Sequence, residues 1–163
     1  MCPLSLSVPV RLRPTGEPDL EFVLKVEADP DTAPFIHRWP IEEHREAMAA
    51  ADVAHWIVED TECGATVGFV ILRGLGSEIL ELRRIAISEK GRGYGTAALR
   101  LVKEAAFGKL AAHRLWLDVY DFNDRARAIY EAEGFVAELE RPASEACGGC
   151  AEGTAIVMAT SRT

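Results

Sequence analysis

Three glycines at alternate positions, Gly91, Gly93 and Gly95, stand between an apolar strand-like run and an amphipathic helix-like one. Glycine leaves the backbone bare where it must bend or where something must come close. A helix opening straight after such a turn exposes its first N–H groups, and its dipole favours negative charge there. The chemistry this combination serves is the seating of a phosphate-bearing ligand, with Lys90 and Arg92 adding positive charge to the same turn. The spacing G-x-G-x-G is not the dinucleotide fingerprint G-x-G-x-x-G, and no G-x-x-x-x-G-K-[ST] loop is present. Turns of this kind also join strands to helices with no ligand, and Lys90 and Arg92 read equally well as solvated turn residues.

The elements that must position this turn are legible on both sides. Glu81–Ile87, with the β-branched pair Ile85 and Ile87, reads as a strand, and Ser88–Gly93 as the turn. The helix that follows sets Tyr94, Ala97, Ala98, Leu101, Val102 and Ala105 on one face at the helical period. A second strand–helix unit runs from Leu115 to Phe135. Leu115–Tyr120 is its strand, and Asn123 or Asp124 caps its helix. Ala126, Ile129 and Tyr130 form the inner face of that helix, and Gly134 takes the C′ position. On their own terms Asn123 is a helix cap and Tyr130 a core aromatic.

The two units together resemble the GNAT family of N-acetyltransferases. Lys90-Gly91-Arg92-Gly93-Tyr94-Gly95 is similar to its pyrophosphate loop, [QR]-x-x-G-x-[GA], with Lys90 keeping the charge but not the planar fork of an arginine. Asn123, Ala126, Tyr130, Gly134 and Phe135 match its pattern N-x-x-A-x-x-x-Y-x-x-x-G-F. The resemblance implies acetyl-CoA as co-substrate, held by Ile85, Ala86, Ile87, Lys90, Gly91, Arg92, Gly93, Tyr94, Gly95 and Thr96, with Asn123 reaching the pantetheine arm. It places the Tyr130 hydroxyl near the CoA sulfur as a catalytic donor. It makes Glu81 the candidate base acting through water, against the plainer reading of a strand-edge charge facing solvent. A main-chain N–H on Arg84–Ile87, where that strand leaves the Leu115 strand, would stabilise the thioester oxygen. The implied activity is acetyl transfer to a primary amine, a small amine or a protein N-terminus, by direct attack on the thioester. The general look is that of the branch holding ribosomal-protein N-terminal, polyamine and aminoglycoside acetyltransferases. The alternative is a non-catalytic acyl-CoA sensor that keeps the cofactor site without turnover. Dimerisation is common in the family, but no feature of this sequence establishes a homodimer.

Composition agrees with a single domain over residues 1–163. The chain is 48% hydrophobic and 27% charged, ordinary values for a globular protein, and is long enough to bury one core. Its formal net charge of −8 argues against nucleic acid as the main partner and is compatible with a cationic substrate. No stretch of 18 apolar residues marks a membrane span, and no basic segment followed by an apolar run marks a signal peptide. The four cysteines are Cys2, Cys63, Cys147 and Cys150. Cys147-x-x-Cys150 reads as a surface hairpin loop ahead of half a zinc site or a redox pair. With no metal expected and no other paired pattern, the cytoplasm is the expected compartment. His37, His44, His55 and His113 show no spacing of a metal site.

Along the chain we expect a first strand at Leu4–Leu12 and helices at Asp19–Ala28 and Ile41–Ala51. A hairpin of His55–Asp60 with Thr66–Arg73 follows, and later strands fall at Phe135–Glu140 and Ala155–Ala159. The order is β-α-α-β-β-β-α-β-α-β-β, an α/β GNAT fold with a central mixed, mostly antiparallel sheet and helices on both faces. The irregular stretch Pro30–Ala51, with Phe35, His37, Trp39 and His44, is the expected wall of the substrate pocket, or else a well-packed connection.

Overall fold

The computed structural model describes residues 8–147 and 152–162. Seven strands are ordered β1-β2-β3-β4-β5-β7-β6 across one sheet. They are β1 (Val10–Pro14), β2 (Val53–Asp60), β3 (Thr66–Arg73), β4 (Ile79–Ile87), β5 (Arg114–Tyr120), β6 (Val136–Pro142) and β7 (Thr154–Ser161). Every neighbouring pair is antiparallel except β4 and β5. The helices are α1 (Leu20–Ala28), α2 (Ile41–Ala49), α3 (Tyr94–Phe107), α4 (Asp124–Ala132) and the short α5 (Ala143–Cys147). Element order agrees with the expectation apart from α5.

Each face of the sheet has its own core. On one, Tyr94, Ala98, Leu99, Val102 and Ala106 of α3 pack on Val70, Leu72, Leu80, Leu82, Leu115 and Leu117. The buried face of α3 is therefore rotated from the expected one, with Leu99 and Ala106 inside and Ala97, Leu101 and Ala105 at its flanks. On the other face Val23 and Val26 of α1 and Ala47 of α2 meet Ile57, Phe69, Ile71 and Ala86, with Trp39 among them. The alternation of β3 serves both layers, since Val70 and Leu72 point to one and Phe69 and Ile71 to the other.

Most element ends differ from expectation by a few residues, and three departures stand out. β1 continues to Pro14, which still pairs with Trp56, because an edge strand tolerates a residue without an N–H; the expected residues 4–7 lie outside the described ones. Ala143–Cys147 forms a short helix instead of a loop, with Ala143 fully buried as its anchor; Cys150 lies outside the described residues. Cys63, in the exposed turn between β2 and β3, is disulfide-bonded, which its spacing did not foretell.

The feature that matters for function is a fault in the middle of the sheet. β4 and β5 pair only at Ile79, Leu80 and Glu81 with Arg114, Leu115 and Trp116. Beyond Glu81 the two strands diverge. β4 also carries a bulge, for its register against β3 shifts between Ile71, opposite Arg84, and Leu72, opposite Leu82. A bulge reverses the alternation after it: Leu80 and Leu82 belong to the α3 core before it, and Ile85 and Ile87 face that core after it. Arg83 and Arg84, which strict alternation would set on opposite faces, both lie over Trp39, at 5.5 and 5.2 Å from its ring centroid.

Candidate active site

The divergence of β4 from β5 opens a cleft of about 760 Å³. Leu82–Ile87 of β4 form one wall and Asp118–Tyr120 of β5 the other, with Thr32–His37 and the first turn of α3 around the mouth. A parting of two parallel strands leaves backbone N–H and C=O groups without ladder partners, so this wall can bind a ligand by its main chain.

The glycine turn sits at one end. Gly91 and Gly93 both have φ of +83°, the left-handed region where a side chain is strained. Gly93 is the N-cap of α3 and offers no side-chain cap. The first helical bond is from the Ala97 N–H to the Gly93 carbonyl, and among the described residues no acceptor takes the N–H of Tyr94, Gly95 or Thr96. Gly95 differs from the other two. A Cβ there would meet only the Ile87 side chain at 3.8 Å, so nothing in the protein itself demands glycine. Glycine inside a helix costs about 1 kcal/mol against alanine, so its use at this position is not explained by packing inside the protein. The residues thus suit the diphosphate of a coenzyme, whose oxygens would accept the three open N–H groups.

Eleven of the thirteen expected site residues line this cleft: Ile85, Ala86, Ile87, Lys90, Gly91, Gly93, Tyr94, Gly95, Thr96, Asn123 and Tyr130. Lys90 Nζ donates to Thr32 Oγ1 at 2.7 Å, tying the turn to the connection before α2, and burial draws its pKa down. Tyr94 sends its side chain into the core, where its hydroxyl donates to Asp60 Oδ2 at 2.7 Å; that bond and burial push its ionisation up to about 12. Only its backbone is left for a ligand. Asn123 caps α4 by accepting the Ala126 N–H at 3.3 Å, which leaves its amide NH2 as a donor on the cleft wall. The cap and the ligand contact are therefore compatible. Tyr130 lies against Phe135, ring centroids 5.7 Å apart, and burial raises its hydroxyl to about 12.

The other two lie elsewhere. Arg92 stands outside the cleft lining, 3.6 Å from Glu89 and over the Tyr94 ring. Glu81, the expected base, is also outside it. Its carboxylate accepts from Arg73 at 2.8 Å on the neighbouring strand, in the last register where β4 and β5 are still paired.

The expected pocket wall divides. Phe35 and His37 do line the cleft, whereas Trp39 and His44 are buried behind it. His44 belongs to a buried polar chain that sequence reading missed. Glu27 is fully buried on α1, where its carboxylate takes a short hydrogen bond from Arg84 and a 2.8 Å one from His44 Nε2. His44 Nδ1 meets His55 Nε2 at 3.0 Å, and His55 Nδ1 meets Thr15 Oγ1 at 2.8 Å. Burial, and then the neighbouring His44, lower the His55 pKa to about 4. Arg84 also donates to the His37 carbonyl, so this chain braces the cleft wall from behind. Its one sequence signal is the Arg83-Arg84 pair in mid-strand, since adjacent strand residues face opposite ways and one arginine at least must turn inward.

Among the described residues no group of three or more His, Cys, Asp or Glu could hold a metal ion, and no helix is long and apolar enough to cross a membrane.

Comparison with known proteins agrees with this geometry. The sequence model of the acetyltransferase (GNAT) domain matches residues 10–136. Among solved structures, spermidine N-acetyltransferase from Vibrio cholerae in complex with CoA and spermine superposes with a TM-score of 0.78 at 20% identity, covering 93% of this chain and 95% of that one. A putative phosphinothricin N-acetyltransferase superposes with a TM-score of 0.76 at 17% identity, covering 94% and 99%. Among curated proteins, none matches the chain in sequence.

Proposed function

The chain belongs to the GNAT acetyltransferase family and is an acetyl-CoA-dependent N-acetyltransferase, and on that premise we propose that it acetylates a primary amine by direct attack on the thioester. The observation that carries the proposal is the meeting, in one cleft, of the uncapped start of α3 and the parted edge of β4.

The residues divide the work. Tyr94, Gly95 and Thr96 offer main-chain N–H groups to the diphosphate, and Lys90 adds charge beside them. Arg125, on the same lining, adds a second cation there. The parted edge of β4 and the Asn123 amide hold the pantetheine arm, and a β4 main-chain N–H near the bulge takes the developing oxyanion.

Tyr130 donates a hydrogen bond to the departing sulfur. Thiols ionise near pH ~8.5 and Tyr130 near 12, so complete proton transfer would run uphill by roughly 5 kcal/mol. Its contribution is a hydrogen bond to the thiolate, not delivery of its proton.

An alkylammonium of pKa ~10 must lose a proton before it can attack. Glu81 is held by Arg73 outside the cleft. We therefore assign this step to His37, a residue of the cleft lining whose carbonyl accepts from Arg84. His37→Gln should lower kcat/KM by about 100-fold, the usual worth of a positioned base, while Glu81→Gln should leave it within about threefold. The reverse ranking would return the base to Glu81.

Thiol release from acetyl-CoA, measured against a panel of primary amines and N-terminal peptides, tests the proposal. Release with at least one acceptor is expected. Saturable acetyl-CoA binding with no release for any acceptor would favour a sensor instead. Acetyl-CoA is an intracellular metabolite, so the cytoplasm is the compartment that goes with this activity; the Cys63 disulfide would be open to reduction there.

A further inference from the structure

The inner end of the cleft holds three charged side chains, of which two are cancelled. Arg84 is met by the Glu27 carboxylate and the His37 carbonyl. Asp118 is met by the Arg141 guanidinium, through Nε at 3.0 Å and through a second, shorter contact. Arg83 is the exception. It lines the cleft, yet among the described residues no carboxylate, carbonyl or hydroxyl accepts from it, and its Nε is shut away from water with nothing to bond. The Trp39 ring covers a face of the guanidinium and leaves the donors at its edge unused, while Glu81, Glu43 and Asp118 act on its charge through space without accepting a hydrogen bond from it. Native structures rarely leave a buried donor unmet, because the lost hydration is not returned. Arginine also stays charged when buried, so deprotonation cannot relieve it.

Of the acids that act on Arg83, Glu81 is already paired with Arg73 and Asp118 with Arg141, and Glu43 makes no hydrogen bond to it; the remaining acids of the cleft lining lie toward its other end. Asp31, Glu89 and Asp124 are exposed residues, next to or within the cofactor-binding segments at Thr32, Lys90 and Asn123. Arg83 to Ile87 spans roughly 13 Å of extended strand at about 3.3 Å per residue, with the glycine turn beyond it. Arg83 thus lies at the end of the cleft opposite the diphosphate seat, beside the bulge where the acetyl group would be attacked.

We propose that Arg83 seats a carboxylate on the acceptor, so that the amine acetylated here is an amino-carboxylate such as an α-amino acid rather than a polyamine. The fork of N–H groups on a guanidinium matches the two oxygens of a carboxylate. A carboxylate would meet the terminal N–H groups of the guanidinium, from which no described residue accepts and which the cleft can reach, whereas Nε stays enclosed. A polyamine would bring further positive charge to a cation that no carboxylate meets directly. The overall negative charge of the molecule does not decide the matter, because recognition follows the charge that faces the ligand.

The inference rests on the reading of this cleft as the place where acceptor meets acetyl-CoA, and the experiment separates the two. Thiol release is measured with the common L-amino acids, with the amines made by removing their carboxylate, and with spermidine. The expected result is a kcat/KM on the order of 30-fold or more higher for at least one amino acid than for its decarboxylated partner, the usual scale for a buried charge pair. That ratio should collapse toward one in Arg83→Gln and survive in part in Arg83→Lys, which keeps the cation but loses the fork. Acetyl-CoA affinity, followed by calorimetry in each variant, reports whether the fold is intact. A ratio near one in the wild type, a preference for spermidine, or a ratio that persists in Arg83→Gln with acetyl-CoA affinity retained would overturn the proposal. Should no acceptor release thiol, the catalytic reading fails by itself. Saturation-transfer NMR of the amino acids on CoA-loaded wild type and Arg83→Gln then still decides the subsite, with Arg83-dependent binding expected and equal signals refuting it.

Discussion

Tyr130 is protonated at every pH where the fold is expected to hold, since burial keeps its ionisation at about 12. Its hydroxyl is therefore a constant donor that should matter only when charge builds on sulfur. Tyr130→Phe should lower kcat by about 100-fold or more and leave the acetyl-CoA dissociation constant within about twofold; steady-state kinetics beside calorimetry would separate the two. A second consequence at this scale concerns stability. His55 is kept neutral, with its pKa moved from 6.5 to about 4. Unfolded chain accepts a proton in that interval and folded chain refuses it. The stabilisation is thus complete above pH 6.5 and drains away as pH falls toward 4, by up to about 3 kcal/mol. Chemical denaturation across that window should show the decline, and His55→Gln should flatten it. Glu27→Ala should cost about 3 kcal/mol or more at neutral pH, because it leaves Arg84 charged and buried without its carboxylate. Sequence exposes these residues unequally. Lys90, Asn123 and Tyr130 sit in local patterns, and it is the family resemblance carried by those patterns that singles them out. Glu27 is one acidic residue on an amphipathic helix, and its partners there, His44 and Arg84, stand 17 and 57 positions away.

Helix α3 and the strand before it carry most of the binding chemistry proposed here, and both elements are readable from glycine placement and apolar period. The bulge in β4 was not. It follows from how β3 and β4 settle their register, a long-range matter with no local residue signature here. Its effect is large, because it turns Arg83 and Arg84 to one side and marks the place where β4 leaves β5. At the scale of the helix the decisive position is Gly95. Gly95→Leu replaces a poor helix former with a good one, and the Cβ it adds meets only the Ile87 side chain, at 3.8 Å. The melting temperature should hold or rise, while acetyl-CoA affinity falls at least tenfold. Gly93→Ala should do the opposite in stability, since φ is +83° and its Cβ would press Val8 at 3.0 Å. Loss of stability in Gly95→Leu, with acetyl-CoA affinity unchanged, would show that the glycine serves the fold and not the ligand.

For the molecule as a whole, two cores on opposite faces clamp a sheet that is continuous at one end of the β4–β5 boundary and open at the other. The mixed, mostly antiparallel sheet and the helices on both faces agree with the element order and the family resemblance in the sequence, whereas the strand order, with β7 between β5 and β6, is a finding of the structure. The acceptor end is less legible, because its lining comes from strand and connection residues that only folding brings together. Everything proposed for chemistry depends on coenzyme A entering that opening with its diphosphate on the first turn of α3. Calorimetric titration of acetyl-CoA into the folded protein tests this most directly. One saturating site with a dissociation constant below millimolar, weakened by Gly95→Leu, is the result predicted here. A flat titration at millimolar acetyl-CoA, on protein whose fold is verified by its melting transition, would contradict it.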